Sequence, residues 1–328
     1  MTGQFLYRRI AAFLVLAVGI ALPAFAQKAT QLPLVGVLNI NTVASNQPIA
    51  TIMRDALAAL GDIDGKSISL DFRLAEGDAG RFPQLAEALV RDDPTVIVAH
   101  GPPAVRAAQG ATQTIPIVAS VNDLVASGFI ESMARPGGNI TGVSMLVPEL
   151  DAKRLEVLKE ILPSARRLGL LIETGTRSPA VLQPMLATAR ALGVALQKVE
   201  VSAPADFAAA VASLKAGGVE GANILSSTVL FFFHKDLGPL LVANKVAAIC
   251  EWPEMTASGC LASYGTTLRE LYAMQAALID KMLKGARPAD TPAQQPTRFE
   301  LVLNLKVARE IGVEIPPAIL ARADEVIE

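Results

Sequence analysis

The sequence predicts an α/β protein built from two doubly wound parallel-sheet lobes joined by a hinge. Three observations carry that expectation. Short apolar runs alternate with amphipathic stretches along most of the chain, the alternation halts and restarts around Arg135–Val143, and the chain has 328 residues. Strand–helix alternation with short connections calls for a mostly parallel sheet with right-handed crossovers. A chain of about 300 residues suits two such units as a prior.

The first 26 residues read as an address. Arg8 and Arg9 give a positive start, Ile10 to Leu22 an apolar run, and Ala24-Phe25-Ala26 a cleavage site for a signal peptide. The surroundings of Arg8-Arg9 fit a twin-arginine signal poorly, so general secretion is expected. The apolar run is short for a membrane anchor, which needs roughly 20 residues. A mature chain of 302 residues would begin at Gln27, and no cysteine near the cleavage site offers a thiol for a lipid anchor. The expected location is the periplasm.

The mature chain would carry 27 basic and 31 acidic side chains, a formal charge of −4. Nucleic-acid binding needs a clustered basic face, so nucleic acid is not an expected partner. Cys250 and Cys260 are the only cysteines. They could pair in an oxidising compartment, but their places at the end of one strand and the start of the next are expected to hold them apart.

Taken in order, Leu34 to Ile40 is an apolar run of buried parallel-strand type. A helix is expected from Pro48 to Leu60, a strand at Ser67 to Arg73, a helix at Phe82 to Arg91 and a strand at Thr95 to His100. A short Ala-rich helix then leads to a strand at Pro116 to Val121. In Arg135–Val143, Pro136 stops the preceding segment, and Gly137, Gly138 and Asn139 supply the freedom of a hinge. An ordinary turn is the alternative.

The pattern restarts with an amphipathic helix at Glu149 to Leu162. Strands are expected at Leu168 to Glu173, Ala195 to Val201, Ala222 to Ser226 and Val246 to Glu251, with helices at Pro179 to Leu192, Pro204 to Ala216 and Phe233 to Asn244. Cys260 to Gly265 reads as a strand, with Tyr264 and Gly265 as further hinge residues. Thr267–Glu270 is a capping box opening a helix that ends near Gly285. After a strand at Thr297 to Leu303, Asn304 caps a helix ending at Gly312. The expected division is an N-terminal lobe of 27–142 completed by about 264–300, and a C-terminal lobe of 143–263 completed by about 301–328.

Several separated stretches carry a family resemblance: Arg135-Pro136-Gly137-Gly138-Asn139-Ile140-Thr141-Gly142-Val143, Ala152–Leu158, Glu251-Trp252, Ser263–Thr266, Gln295–Lys306, Pro316-Pro317 and Ala321–Ile327. In order and spacing the chain resembles the ABC-transporter substrate-binding proteins related to the tryptophan/tyrosine-binding type. That resemblance implies a type I periplasmic-binding-protein fold and no enzymatic activity. It also implies a small-molecule solute as ligand, delivery to an ABC permease in the inner membrane, and an aromatic amino acid or related carboxylate as the solute. A monomer is expected, with no cofactor.

In open α/β sheets ligands bind beyond the carboxyl ends of the strands. Those ends carry Asn39, Asn41, Thr42, Gly101, Pro102, Asn122 and Asp123 in the first lobe, and Glu173, Thr174, Ser226, Ser227, Glu251 and Trp252 in the second. Phe232, with Phe231, could stack on a ring. Asn, Ser and Thr at such places serve equally as caps, and Trp252 could instead be buried against the following helix. Val121–Leu124, Glu173–Thr176 and Ser227–Val229 depart from the turn residues usual in the family, at the strand ends where a ligand would sit.

Enzyme readings find little support. The chain has no Gly-x-Ser-x-Gly elbow, Gly-rich phosphate loop or His-Glu-x-x-His. His100 and His234 lack a second ligand at metal spacing, and no catalytic residue or metal site is expected. A periplasmic sensory protein, or less readily a periplasmic enzyme using the same cleft, are the alternatives.

Overall fold

The structure is a computed structural model that describes residues 32–145, 147–176 and 179–328. The leader expected at residues 1–26 lies outside them. The first lobe comprises β1 (Leu34–Asn39), α1 (Val43–Ala58), β2 (Ser69–Leu74), α2 (Phe82–Arg91), β3 (Val96–His100), α3 (Pro102–Ala111), β4 (Ile117–Val121) and β5 (Ile140–Ser144). Its strands form a parallel sheet in the order β2-β1-β3-β4-β5.

The chain then builds α4 (Val147–Ile161), β6 (Arg167–Glu173), α5 (Pro179–Ala191), β7 (Ala195–Val201), α6 (Phe207–Ala216) and β8 (Gly221–Ile224). Next come α7 (Thr228–Phe232), α8 (His234–Ala243), β9 (Ala247–Cys250), α9 (Pro253–Ser258), β10 (Ala262–Gly265) and α10 (Leu268–Leu283). It ends with β11 (Glu300–Asn304), α11 (Leu305–Ile311), α12 (Pro317–Leu320) and β12 (Glu325–Ile327). The second sheet has the order β12-β11-β10-β9-β8-β6-β7, and only the β10–β11 pairing is antiparallel.

The inner strands β1, β3 and β4 are largely apolar because helices cover both faces, whereas the edge strands β2 and β7 carry Asp71, Arg73, Lys198 and Glu200. On β1, Val35 and Val37 join the cluster containing Ile49 and Met53 of α1, while Leu38 and Ile40 join Phe82, Ala86 and Leu89 of α2. A Cβ at Gly36 would lie 2.4 Å from Leu89, so α2 sits close against the sheet at that point.

The chain passes between the lobes three times. It leaves the first sheet after Ser144, and returns after Gly265 as α10. There Leu271, Tyr272 and Leu278 pack with Val35, Val98 and Val118. Gln294 then bridges the edge of β5, its N–H donating to the Gly142 carbonyl at 2.8 Å, before the chain crosses back into β11. Thr267 accepts from the Glu270 N–H at 3.2 Å, and Asn304 from the Val307 N–H at 2.9 Å, so both late helices are capped as the sequence indicates.

Four local expectations change. The first helix begins at Val43, five residues before Pro48, because Thr42 and Ser45 bond reciprocally across the first turn. Gly137, Gly138 and Asn139 precede β5 and so lie inside the first lobe; the crossover comes after Ser144. Asn139 donates to the carbonyls of Thr112 and Ile115, which pins that turn instead of freeing it. The run at Phe231–Phe233 closes a separate short helix, α7, before α8. Finally, Cys250 and Cys260 form a disulfide with Cα atoms 6.3 Å apart. The six-residue helix α9 turns the chain back at Gly259, and β10 lies directly beside β9, which returns Cys260 to Cys250.

Candidate functional site

Gly101, just beyond the carboxyl end of β3, comes close to Thr228, which follows the carboxyl end of β8, so the two lobes meet at the carboxyl ends of these parallel strands. Side chains alternate along a strand, so Asn39 follows Val35 and Val37 onto the face covered by α1 and α10. His100 follows Val96 and Val98, and Ser120 follows Val118, onto the same face. The registers Leu38↔Ala99 and His100↔Ser120 set Asn39, His100 and Ser120 side by side on β1, β3 and β4. From α10, Gln275 Oε1 lies 3.1 Å from His100 Nε2, and the Tyr272 ring stands 5.7 Å from the imidazole.

Asn39 and Gln275 are fully buried. Among the described residues, both amide atoms of Asn39, Nδ1 of His100 and Nε2 of Gln275 are buried without a protein partner. Burial lowers the His100 pKa, opposed by the Gln275 hydrogen bond, so the imidazole is neutral at pH 7.

Around this row several predicted residues are occupied locally. Asn41 donates to Asn46 Oδ1 at 3.3 Å, while its own Oδ1 is buried without a partner. Thr42 caps α1. Asp123 Oδ1 accepts from the N–H groups of Val125 and Ala126, each at 3.0 Å, and Asn122 offers its carbonyl to the Met145 N–H. Gly101 has φ 82°, a conformation only glycine adopts readily, and it turns the chain from β3 into α3, with Pro102 as the first helical residue.

In the second lobe Glu173 accepts from the Ser227 hydroxyl at 2.6 Å and the Val229 N–H at 3.4 Å, while Ser227 caps α7. A protein carboxylate thus already occupies the amino end of that short helix. Ser226 donates to Glu251 and accepts from Arg154 Nη2 at 3.1 Å. Arg154 is fully buried and ion-paired with Asp151 at 2.5 Å. Thr174, exposed, donates to the Val201 carbonyl at 3.2 Å, away from this network. Trp252 is only 5% exposed, its ring 5.5 Å from that of Phe231. It belongs to an apolar cluster that continues from Phe207 and Met255 into Val35 and Val98 of the first lobe.

The lobes approach closely at two glycines. A Cβ at Gly101 would lie 3.3 Å from Thr228 Oγ1, and one at Gly77 3.7 Å from the Phe233 ring. Phe232 packs against the first lobe's cluster of Leu38, Ile40 and Phe82. Tyr264 and Gly265 end β10 directly before the second crossover, and a Cβ at Gly265 would fall 2.4 Å from the Glu251 carbonyl oxygen. Among the described residues no three His, Cys, Asp or Glu side chains gather closely enough to hold a metal ion.

Sequence reasoning missed Gln275 and Ser120, and it gave Arg154 no role in the site. Gln275 carried one signal: it interrupts the apolar stripe of α10 between Leu271 and Leu278. Asp151 and Arg154 carried another, an i,i+3 charge pair beside the buried Leu155 and Leu158.

The family described as ABC transporter substrate binding protein matches residues 35–327. A tyrosine-binding protein of Clostridioides difficile (strain R20291) is 26% identical over 261 residues, covering 79% of this chain and 75% of that protein. The ABC domain from Streptococcus pneumonia in complex with L-Trp is 25% identical, with a TM-score of 0.82 over 90% of this chain and all of that one. A ligand-free, open substrate-binding protein with adhesive properties from Clostridium difficile is 23% identical, with a TM-score of 0.65 over 90% of this chain and 99% of that one.

Proposed function

The chain belongs to the ABC transporter substrate-binding protein family, and from that premise we propose that it is the exported solute-binding component of an ABC importer. It captures an aromatic amino acid, or a related small carboxylate, between its lobes and delivers it to a permease in the inner membrane. The signal-peptide pattern read in residues 1–26 supports the periplasm as the place of this work.

One observation carries the reading: buried polar atoms of Asn39, His100 and Gln275 at the carboxyl edge of the first sheet lack protein partners. Leaving such groups unmet costs roughly 1–3 kcal/mol each, so a solute that satisfies them gains affinity. The aromatic group Phe231, Phe232 and Trp252 lies on the opposite lobe. Burying one aromatic ring of about 150–250 Å² contributes on the order of 4–6 kcal/mol. The 26% identity to a tyrosine-binding protein supports the same ligand class.

Calorimetric titration of the mature chain with L-tryptophan, L-tyrosine and L-phenylalanine tests this directly. At least one is expected to bind one-to-one, to make the scattering profile more compact and to be recovered unaltered. Absence of binding by all three removes the aromatic assignment, and conversion to product removes the carrier role. Loss of labelled solute uptake on deletion of the gene tests the importer.

A further inference from the structure

We propose that the row formed by Asn39, His100 and Gln275 is a subsite for an uncharged group of the ligand that both donates and accepts hydrogen bonds, such as a hydroxyl or carboxamide. It discriminates against a carboxylate at that position. The inference rests on the interlobe cleft being the ligand site.

Three elements distant in sequence converge here. Asn39 ends β1, His100 ends the adjacent β3, and Gln275 reaches in from α10, 175 residues beyond His100. Asn39 and Gln275 are wholly buried, yet both Asn39 amide atoms, Gln275 Nε2 and His100 Nδ1 have no partner in the protein. Buried polar groups are almost always hydrogen-bonded, and four such atoms in one row point to a ligand group that meets them.

The donor and acceptor balance fixes the chemistry. Gln275 Oε1 accepts from His100 Nε2–H, which leaves Nδ1 of a neutral ring as a bare lone pair. Asn39 presents one donor group and one acceptor, and Gln275 Nε2 donates. Turning the Gln275 amide over reverses the roles of Nδ1 and the free Gln275 atom and leaves the same balance. A hydroxyl both donates and accepts, so it matches. A carboxylate only accepts and would meet an opposing acceptor under either assignment. No charged side chain among the described residues hydrogen-bonds to the row, so nothing there compensates a buried negative charge.

The test uses the mature chain and three probes differing at one ring position: L-tyrosine, L-phenylalanine and 4-carboxy-L-phenylalanine. L-Tyrosine is expected to bind at least about tenfold more tightly than either of the others, and Asn39→Leu or Gln275→Met to erase that preference. Equal affinities for all three overturn the proposal.

A second measurement needs no ligand. If the row is kept unpaired for binding, Asn39→Leu leaves the melting temperature of the free protein unchanged or raises it. A fall of about 4 °C or more shows that the amide serves the fold and overturns the subsite. If none of the probes binds, the aromatic-ligand reading fails by itself, and the melting temperature decides the subsite.

Discussion

Arg154 donates from Nη1 to the carbonyl oxygen of Tyr264 at 2.9 Å, tying α4 to the strand from which the chain leaves the second lobe. Nη2 of the same guanidinium reaches Asp151 at 2.5 Å and Ser226 at 3.1 Å. One buried cation therefore joins the helix that enters this lobe to the ends of β8 and β10. Its fork geometry is what a lysine lacks.

Arg154→Met is expected to lower the unfolding free energy by about 3–5 kcal/mol, because it strips a buried carboxylate of its guanidinium. Arg154→Lys should recover only part of that loss. Urea unfolding of both variants measures it, and a loss under about 1 kcal/mol for Arg154→Met would show that the ion pair adds little.

The Cys250–Cys260 bond closes a short loop holding Glu251, Trp252 and α9. For a loop of this size the chain-entropy contribution is about 3 kcal/mol. Replacing both cysteines by alanine is expected to cost roughly that much, and neither thiol should label in the unfolded, unreduced protein. Labelling of both under those conditions would mean that the bond does not form.

Much of the fold was legible because its signals are local. Leu34–Ile40 and Thr95–His100 read as strands since both faces are covered, and Asn304 and Gly312 mark a helix by cap chemistry alone. The five-residue α7 was not legible, since so short a helix shows no periodicity. The disulfide was hidden because strand order, not sequence distance, sets β10 beside β9. Asn39 could be named from its place at a strand end. The bond between the neighbouring His100 and Gln275 could not, because that depends on α10 crossing back to the first lobe.

His100 yields a prediction with a defined sign. Desolvation lowers its pKa below the ordinary value of 6.5, and its surroundings are Gln275 and Tyr272 on α10, Asn39 on β1 and Ser120 on β4. Burial keeps the Tyr272 hydroxyl protonated, so no facing group supplies a charge to offset protonation. The unfolded chain binds the proton first as pH falls. The contribution of His100 is therefore fully present above about pH 6.5 and is lost below it, with a slope of up to about 1.4 kcal/mol per pH unit. His234, also lowered by burial and then by Lys235, acts in the same direction. Urea unfolding between pH 7.5 and 5.5 should show a decline that His100→Gln partly flattens; parallel curves for variant and parent would remove His100 as a source.

Trp252 decides whether the aromatic edge of the second lobe is packing or contact surface. The side chain is 5% exposed, sits at the amino end of α9, and lies 5.5 Å from Phe231, which itself stands 5.8 Å from the His234 ring. An indole so covered belongs energetically to the core, where Trp→Ala costs about 3–5 kcal/mol. The expected result for Trp252→Ala is a melting temperature lowered by several degrees, with Trp252→Phe retaining most of the stability because it still packs on Phe231. Affinity for L-tyrosine should fall in the alanine variant through displacement of Phe231, and Phe231→Leu should lower it while leaving stability closer to the parent. If Trp252→Ala instead abolishes L-tyrosine binding with its melting temperature intact, the indole touches the solute directly. Phe231 would then be its support.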